Sequence, residues 1–242
     1  MSTLFENIER IQLGKEKLKT SIENKNVVVP DDMLINDYYS LVDQIQTGSP
    51  IDLSAITFTN LTNAFLDSNV VDVSPLNFSN VKDCYFAFRG TTSLSHFTND
   101  ISQATSMYYA FAWSGLSYAE LNCNSATNFN GCFRYCENLN TLQIRMGNAT
   151  DIGEMLLGCT SLVNLSLPSG ISSNSEATSL TLDLTSTAMT VDSFRILMDG
   201  IGLNFLPTAF YTRIIKITDT LYDALTDDIF DAADSKHYTL AT

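Results

Sequence analysis

Basic residues are scarce in this chain: 13 Lys and Arg stand against 27 Asp and Glu, a formal charge of −14. Nucleic acid is not expected as a partner, because phosphate neutralisation needs clustered cations. Histidine occurs only at His96 and His237, too few to complete a metal site with the cysteines. No apolar run approaches the roughly 18–20 residues that span a bilayer, so membrane insertion is not expected. The opening MSTLFENIER has no basic stretch leading into an apolar one, so a secretory leader is not expected either. The 5 cysteines are an odd number and do not form a disulfide framework. They read instead as small buried thiols.

Catalytic patterns are missing too. There is no Gly-x-Ser-x-Gly, no phosphate-cradling glycine loop and no His-Glu-x-x-His. Asp227, Asp228 and Asp231 fit a solvated helix face better than a catalytic carboxylate pair, and His96 fits a turn at a repeat exit. The expectation is a non-enzymatic protein without catalytic, cofactor or metal residues.

What the chain does have is a period. Phe65, Phe88, Phe111, Phe133 and Leu156 recur at steps of 23, 23, 22 and 23 residues. Seven positions before each anchor stand Phe58, Val81, Ala104, Ala126 and Ala149. Four before stand Leu61, Cys84, Met107, Phe129 and Ile152. One before stand Ala64, Ala87, Ala110, Cys132 and Met155. After each anchor come Val71, Leu94, Leu116, Leu139 and Leu162. Such a period marks a solenoid, in which each unit buries its apolar edge against its neighbours. The positions four before, one before and at the anchor share one face of a helical turn. Leu139, Leu142, Ile144 and then Leu162, Leu165, Leu167 alternate as strands. The predicted fold class is α/β: a solenoid with a short helix and a short parallel strand in each 22–23-residue unit.

Residues 1–47 differ. Leu18 and Ile22, then Leu34, Tyr38, Leu41 and Ile45, are spaced as two short amphipathic helices around Val27–Pro30. These helices bury little alone, so the segment is expected to attach to a partner or to another copy, or else to cap the first repeat. Residues 48–50, Gly-Ser-Pro, read as a linker. Residues 51–167 hold five repeats, and 168–242 continue in longer units. There Leu180, Leu182 and Leu184 form a strand and Thr190 caps a helix bearing Phe194, Leu197, Met198 and Ile201. Ile214, Ile215 and Ile217 form the next strand. Leu221, Leu225, Ile229 and Ala232 then mark one acidic helix, and Tyr238–Leu240 a last strand that ends the body with an acidic cap.

Aromatic residues supply the candidate contact surface. Tyr85 and Tyr108 both stand three before an anchor, with Tyr109 alongside, and Trp113 and Tyr135 both stand two after. They serve either as packing between repeats or as a ridge that holds a sugar face or a protein partner.

The Ala-Phe anchors and the Cys-x-x-Leu exits, Cys136–Leu139 and Cys159–Leu162, resemble the BspA-like class of leucine-rich repeats. That class occurs in bacterial surface proteins and in phage proteins. The run from Lys15 through Ile22 to Val27-Val28-Val29-Pro30, followed by Tyr38 to Ile45, is similar to the start of phage tail and receptor-binding proteins, with Asn26 where a glycine is usual. The end, from Leu225 to Leu240, resembles their final repeat, with Lys236-His237-Tyr238 in place of Lys-Gly-Trp. These resemblances imply a leucine-rich-repeat-type solenoid in a bacteriophage tail fibre, tip or baseplate. They imply synthesis in the host cytoplasm and residence in the virion. Residues 1–47, through Leu18, Ile22, Leu34, Tyr38, Leu41 and Ile45, would meet other tail proteins, and the repeats a host-surface glycan or protein. A homo-oligomer is expected. The alternatives are a bacterial leucine-rich-repeat adhesin and a tail-borne glycan-degrading enzyme.

Overall fold

The computed structural model describes residues 58–171, 180–202 and 213–242. The segment 1–47, its six attachment residues and the 48–50 linker lie outside the described residues.

The anchors line up. Successive rings of Phe65, Phe88, Phe111 and Phe133 stack with centroids 4.9, 5.2 and 5.5 Å apart and planes within 8°, 5° and 4° of parallel. Every residue of the columns seven, four and one before the anchors is buried. Phe78 and Phe97 form a second row; Phe97 meets Phe88 and Phe111 edge-on at 5.1 and 4.8 Å. One column needs a register correction. Val71, placed with the leucines at the anchor exits, is 66% exposed, and Val70 at 3% takes the inward place. The first unit, like the third, turns inward five positions after its anchor.

Along one side run four parallel strands in sequence order: β1 (His96–Phe97), β2 (Tyr118–Asn122), β3 (Thr141–Arg145) and β4 (Asn164–Ser166). Their register is one repeat per strand: Ala119 pairs with Leu142 and Leu142 with Leu165. Ala119, Leu121, Leu142, Ile144 and Leu165 point into the core while their neighbours face outward, the two-residue alternation of a one-sided sheet.

Opposite the sheet, the expected short helices are absent among the described residues of the repeats. The anchors of residues 58–171 sit instead in runs of consecutive turns, 62–67, 85–90, 108–113, 130–135 and 153–158. The hydrogen bonds explain why. Every second N–H reaches the next unit: Leu61 to Asp83 O, Asn63 to Tyr85 O, Phe65 to Ala87 O and Asp67 to Arg89 O, at 2.8–3.0 Å. The intervening N–H groups close turns within the unit, Ala64 to Leu61 O and Leu66 to Asn63 O. An α-helix would keep all these bonds to itself; here half of them tie neighbouring units together. The geometry requires a left-handed residue two before and two after each anchor. These are Asn63 and Asp67, Phe86 and Gly90, Tyr109 and Trp113, Gly131 and Tyr135, Glu154 and Gly158, with φ between 51° and 79°.

A polar column starts each run. Asn60, Asp83, Ser106, Asn128 and Asp151 pair in a parallel ladder. In four of them a side-chain oxygen takes the N–H two residues on at 2.7–2.9 Å, and Ser106 makes the longer contact at 3.5 Å. Short polar side chains that bond their own backbone favour turns over helix. The thiols fill inner gaps. Cys136 and Cys159 donate to the carbonyls of Phe111 and Phe133 at 3.0 and 3.1 Å. All five cysteines are buried and unpaired.

Beyond residue 171 the units lengthen and gain true helices. A second parallel sheet has the order β5 (Leu180–Asp183), β6 (Arg213–Lys216), β7 (Thr239–Ala241). Helix α1 (Val191–Gly200) is capped as its sequence predicts: the Thr190 hydroxyl accepts from Ser193 N–H while the Ser193 hydroxyl accepts from Thr190 N–H. It presents Phe194, Leu197 and Met198 to the core. The single acidic helix expected from Leu221 to Ala232 is two, α2 (Asp219–Asp223) and α3 (Asp227–Ser235). Thr226 stands at the start of α3 in an extended conformation, which ends the preceding turn. Among the described residues no helix is long and apolar enough to cross a membrane.

Candidate recognition surface

The turn ribbon directs its anchors and their two inner partners into the core. The positions three before, two before, one after and two after each anchor lie outside that core, and of these only Ala112 and Gly131 are buried. In the second to fifth units those columns carry aromatic and charged side chains, and stacking brings them into one ridge.

Tyr85 and Tyr108 lie one above the other, centroids 5.2 Å apart and planes 12° from parallel. Tyr109 stands beside Tyr108 at 4.7 Å and continues to Trp113 at 6.1 Å. Trp113 meets Tyr135 at 5.5 Å. All five sequence candidates therefore converge. Tyr85, Trp113 and Tyr135 are 39%, 38% and 36% exposed; Tyr108 and Tyr109 are half-buried.

Sequence reading missed four members. Phe86 packs edge-on against Tyr85, Tyr108 and Tyr109 at 4.4, 5.7 and 5.6 Å. The Arg89 guanidinium rests over Trp113 at 4.9 Å and Phe86 at 5.4 Å. Arg134 lies among Tyr135, Trp113 and Tyr109 at 5.2, 5.7 and 6.0 Å. It donates to the Tyr109 hydroxyl at 2.9 Å and to Glu154 at 2.5 Å. The hydrogen bond with Tyr109, then that with Tyr135, raises the Arg134 pKa above its ordinary value. Arg89 and Arg134 do share a column, one after the anchor, which is the signal that could have found them.

Two glycines make room for the rings. Gly131 and Gly158 lie beneath Tyr109 and Tyr135. A Cβ on either would fall 2.5 or 2.3 Å from a ring carbon, and both have positive φ. Phe86, Tyr109, Trp113 and Tyr135 themselves hold φ of 51–57°, which bulky residues rarely adopt. A left-handed backbone costs an L-residue about 1–2 kcal/mol. The ladder imposes that conformation, and aromatic residues bear it on the outer surface.

Comparison with known proteins bears on this repeat body. Residues 61–179 match the model of the BspA type leucine rich repeat region, in 6 copies. The chain thus carries a BspA-type leucine-rich-repeat region, consistent with its parallel strands and few short helices. No match emerged among curated proteins or among solved structures. A leucine-rich-repeat region suggests protein interaction or adhesion.

Proposed function

We propose that this chain is a non-enzymatic recognition protein of a bacteriophage tail fibre, tip or baseplate, and that the ridge from Tyr85 to Tyr135 is its contact surface. The ridge is the observation that carries the recognition role. It gathers Tyr, Trp and Arg, the residues that dominate binding hot spots, at half-exposed positions. The resemblance of residues 15–45 to the start of phage tail proteins supports the tail assignment. On this reading the segment 1–47 holds the chain to other tail proteins as a homo-oligomer, and the protein resides in the virion. The repeat match also supports a second reading, a bacterial surface adhesin that uses the same ridge.

Virions carrying Tyr85→Ala and Tyr108→Ala together should adsorb to host cells at least tenfold more slowly while still incorporating the chain. Unchanged adsorption with the chain present would remove the ridge from recognition. Absence of the chain from antibody-labelled, purified virions would remove the tail assignment and leave the adhesin.

A further inference from the structure

The ridge carries one cation with unspent capacity. Arg134 is committed to Tyr109 and Glu154. Arg89 is not: its guanidinium is held over Phe86 and Trp113, and among the described residues it has no hydrogen-bond acceptor and no ion pair. Asp67 sits close by in the preceding unit, but its carboxylate lies over Gly90 and forms no ion pair with Arg89. A planar guanidinium fixed by two rings is prearranged for a carboxylate, with little entropy left to lose.

The rings decide between a sugar and a peptide. A pyranose needs an open aromatic face. Here the faces are turned towards each other, Tyr85 on Tyr108 and Trp113 between Arg89 and Tyr135. Ring edges carry partial positive charge, and the half-exposed ridge adds the donor groups of Tyr85, Tyr108 and Trp113 and the Arg89 fork. That set suits an acceptor-rich, anionic chain. The overall charge of −14 does not forbid it, since charges beyond about 8 Å are screened at physiological salt.

We propose that the ridge binds an acidic peptide segment, with Arg89 taking a carboxylate and Tyr85, Tyr108 and Trp113 flanking the strand. This rests on the recognition reading above and narrows its ligand class. The test is fluorescence anisotropy of the full chain with labelled hexaglutamate, hexaglutamine and polygalacturonate at low salt. Hexaglutamate should bind at least tenfold more tightly than hexaglutamine. Arg89→Gln should lose at least tenfold, Arg89→Lys should fall between, and Arg145→Gln, on the strand side, should bind as the parent does. Circular dichroism melts confirm that each variant is folded. Equal binding by Arg89→Gln or by hexaglutamine, or no binding of any probe, would overturn the inference. Arg89-dependent binding of polygalacturonate alone would assign the site to an acidic glycan instead. The adsorption assay decides the recognition role independently of all these outcomes.

Discussion

Gly131→Ala measures how tightly the turn ribbon and the ridge are built into each other. At φ 61° the new methyl pays for a left-handed backbone, about 1–2 kcal/mol relative to glycine. It also lands 2.5, 2.6 and 2.7 Å from three carbons of the Tyr109 ring. Overpacking of this kind costs about 1–3 kcal/mol. The expected loss is therefore about 3 kcal/mol, the sum of the backbone and overpacking costs. With an unfolding entropy near 2.1 cal/mol/K per residue, that lowers Tm by about 6 °C. The informative comparison adds Tyr109→Gly, which removes the ring and gives position 109, at φ 51°, the residue that tolerates it. In that background Gly131→Ala should cost only its backbone share, so the coupling between the two substitutions is about 2 kcal/mol. Urea denaturation of the four chains gives this directly. Equal costs of Gly131→Ala in both backgrounds would refute the claim that the ring occupies the space above the glycine.

Two further outcomes follow from the core and the helix ends. Burial pushes Cys84 up to about 12 and Cys136 up to about 11 from 9.0, so neither ionises in the folded chain at pH 9. Unfolded thiols ionise from about 9, so stability should hold below that and fall as pH rises towards 11–12, by up to ~1.4 kcal/mol per thiol per pH unit. Denaturant midpoints at pH 8 and 10.5 check this, and the thiols should resist iodoacetamide until the chain is unfolded. Lys236 donates to the Met198 and Asp199 carbonyls at 2.6 and 2.7 Å, closing the end of α1. Lys236→Met should cost about 1 kcal/mol in a thermal melt, the loss of a C-terminal helix cap.

The stacked core was legible because burial acts on side chains, and the columns at Phe65, Phe88, Phe111 and Phe133 repeat whatever the backbone does. The turn ribbon was not. Apolar residues four before, one before and at an anchor point the same way in a helical turn and in these consecutive turns, so periodicity could not separate them. The discriminating signal was polar: Asn60, Asp83, Asn128 and Asp151 recur where a side chain closes the first turn, and glycine or Asn at Asn63, Gly90, Gly131 and Gly158 marks left-handed backbone. Val71 misled because two adjacent valines offer the same hydrophobicity to either register. For the proposed contact surface, the tyrosines were singled out by their size and spacing. Phe86, Arg89, Arg134 and Glu154 were missed because each belongs to a column of mixed chemistry, whose coherence appears only once the units are stacked.

Because the backbone ladder and the buried anchors join one ribbon to the next, most outer side chains carry little of the responsibility for holding the repeats together. Asn63, Phe86, Tyr109, Gly131 and Glu154 fill equivalent places in successive units with little in common but their φ. Away from the places where a ring of the neighbouring unit covers a glycine, as Tyr109 covers Gly131, a molecule built this way can exchange its outward-facing letters one at a time while its frame stays put. On the proposed recognition role, it is a mounting rail on which a lineage of such proteins can follow a changing target.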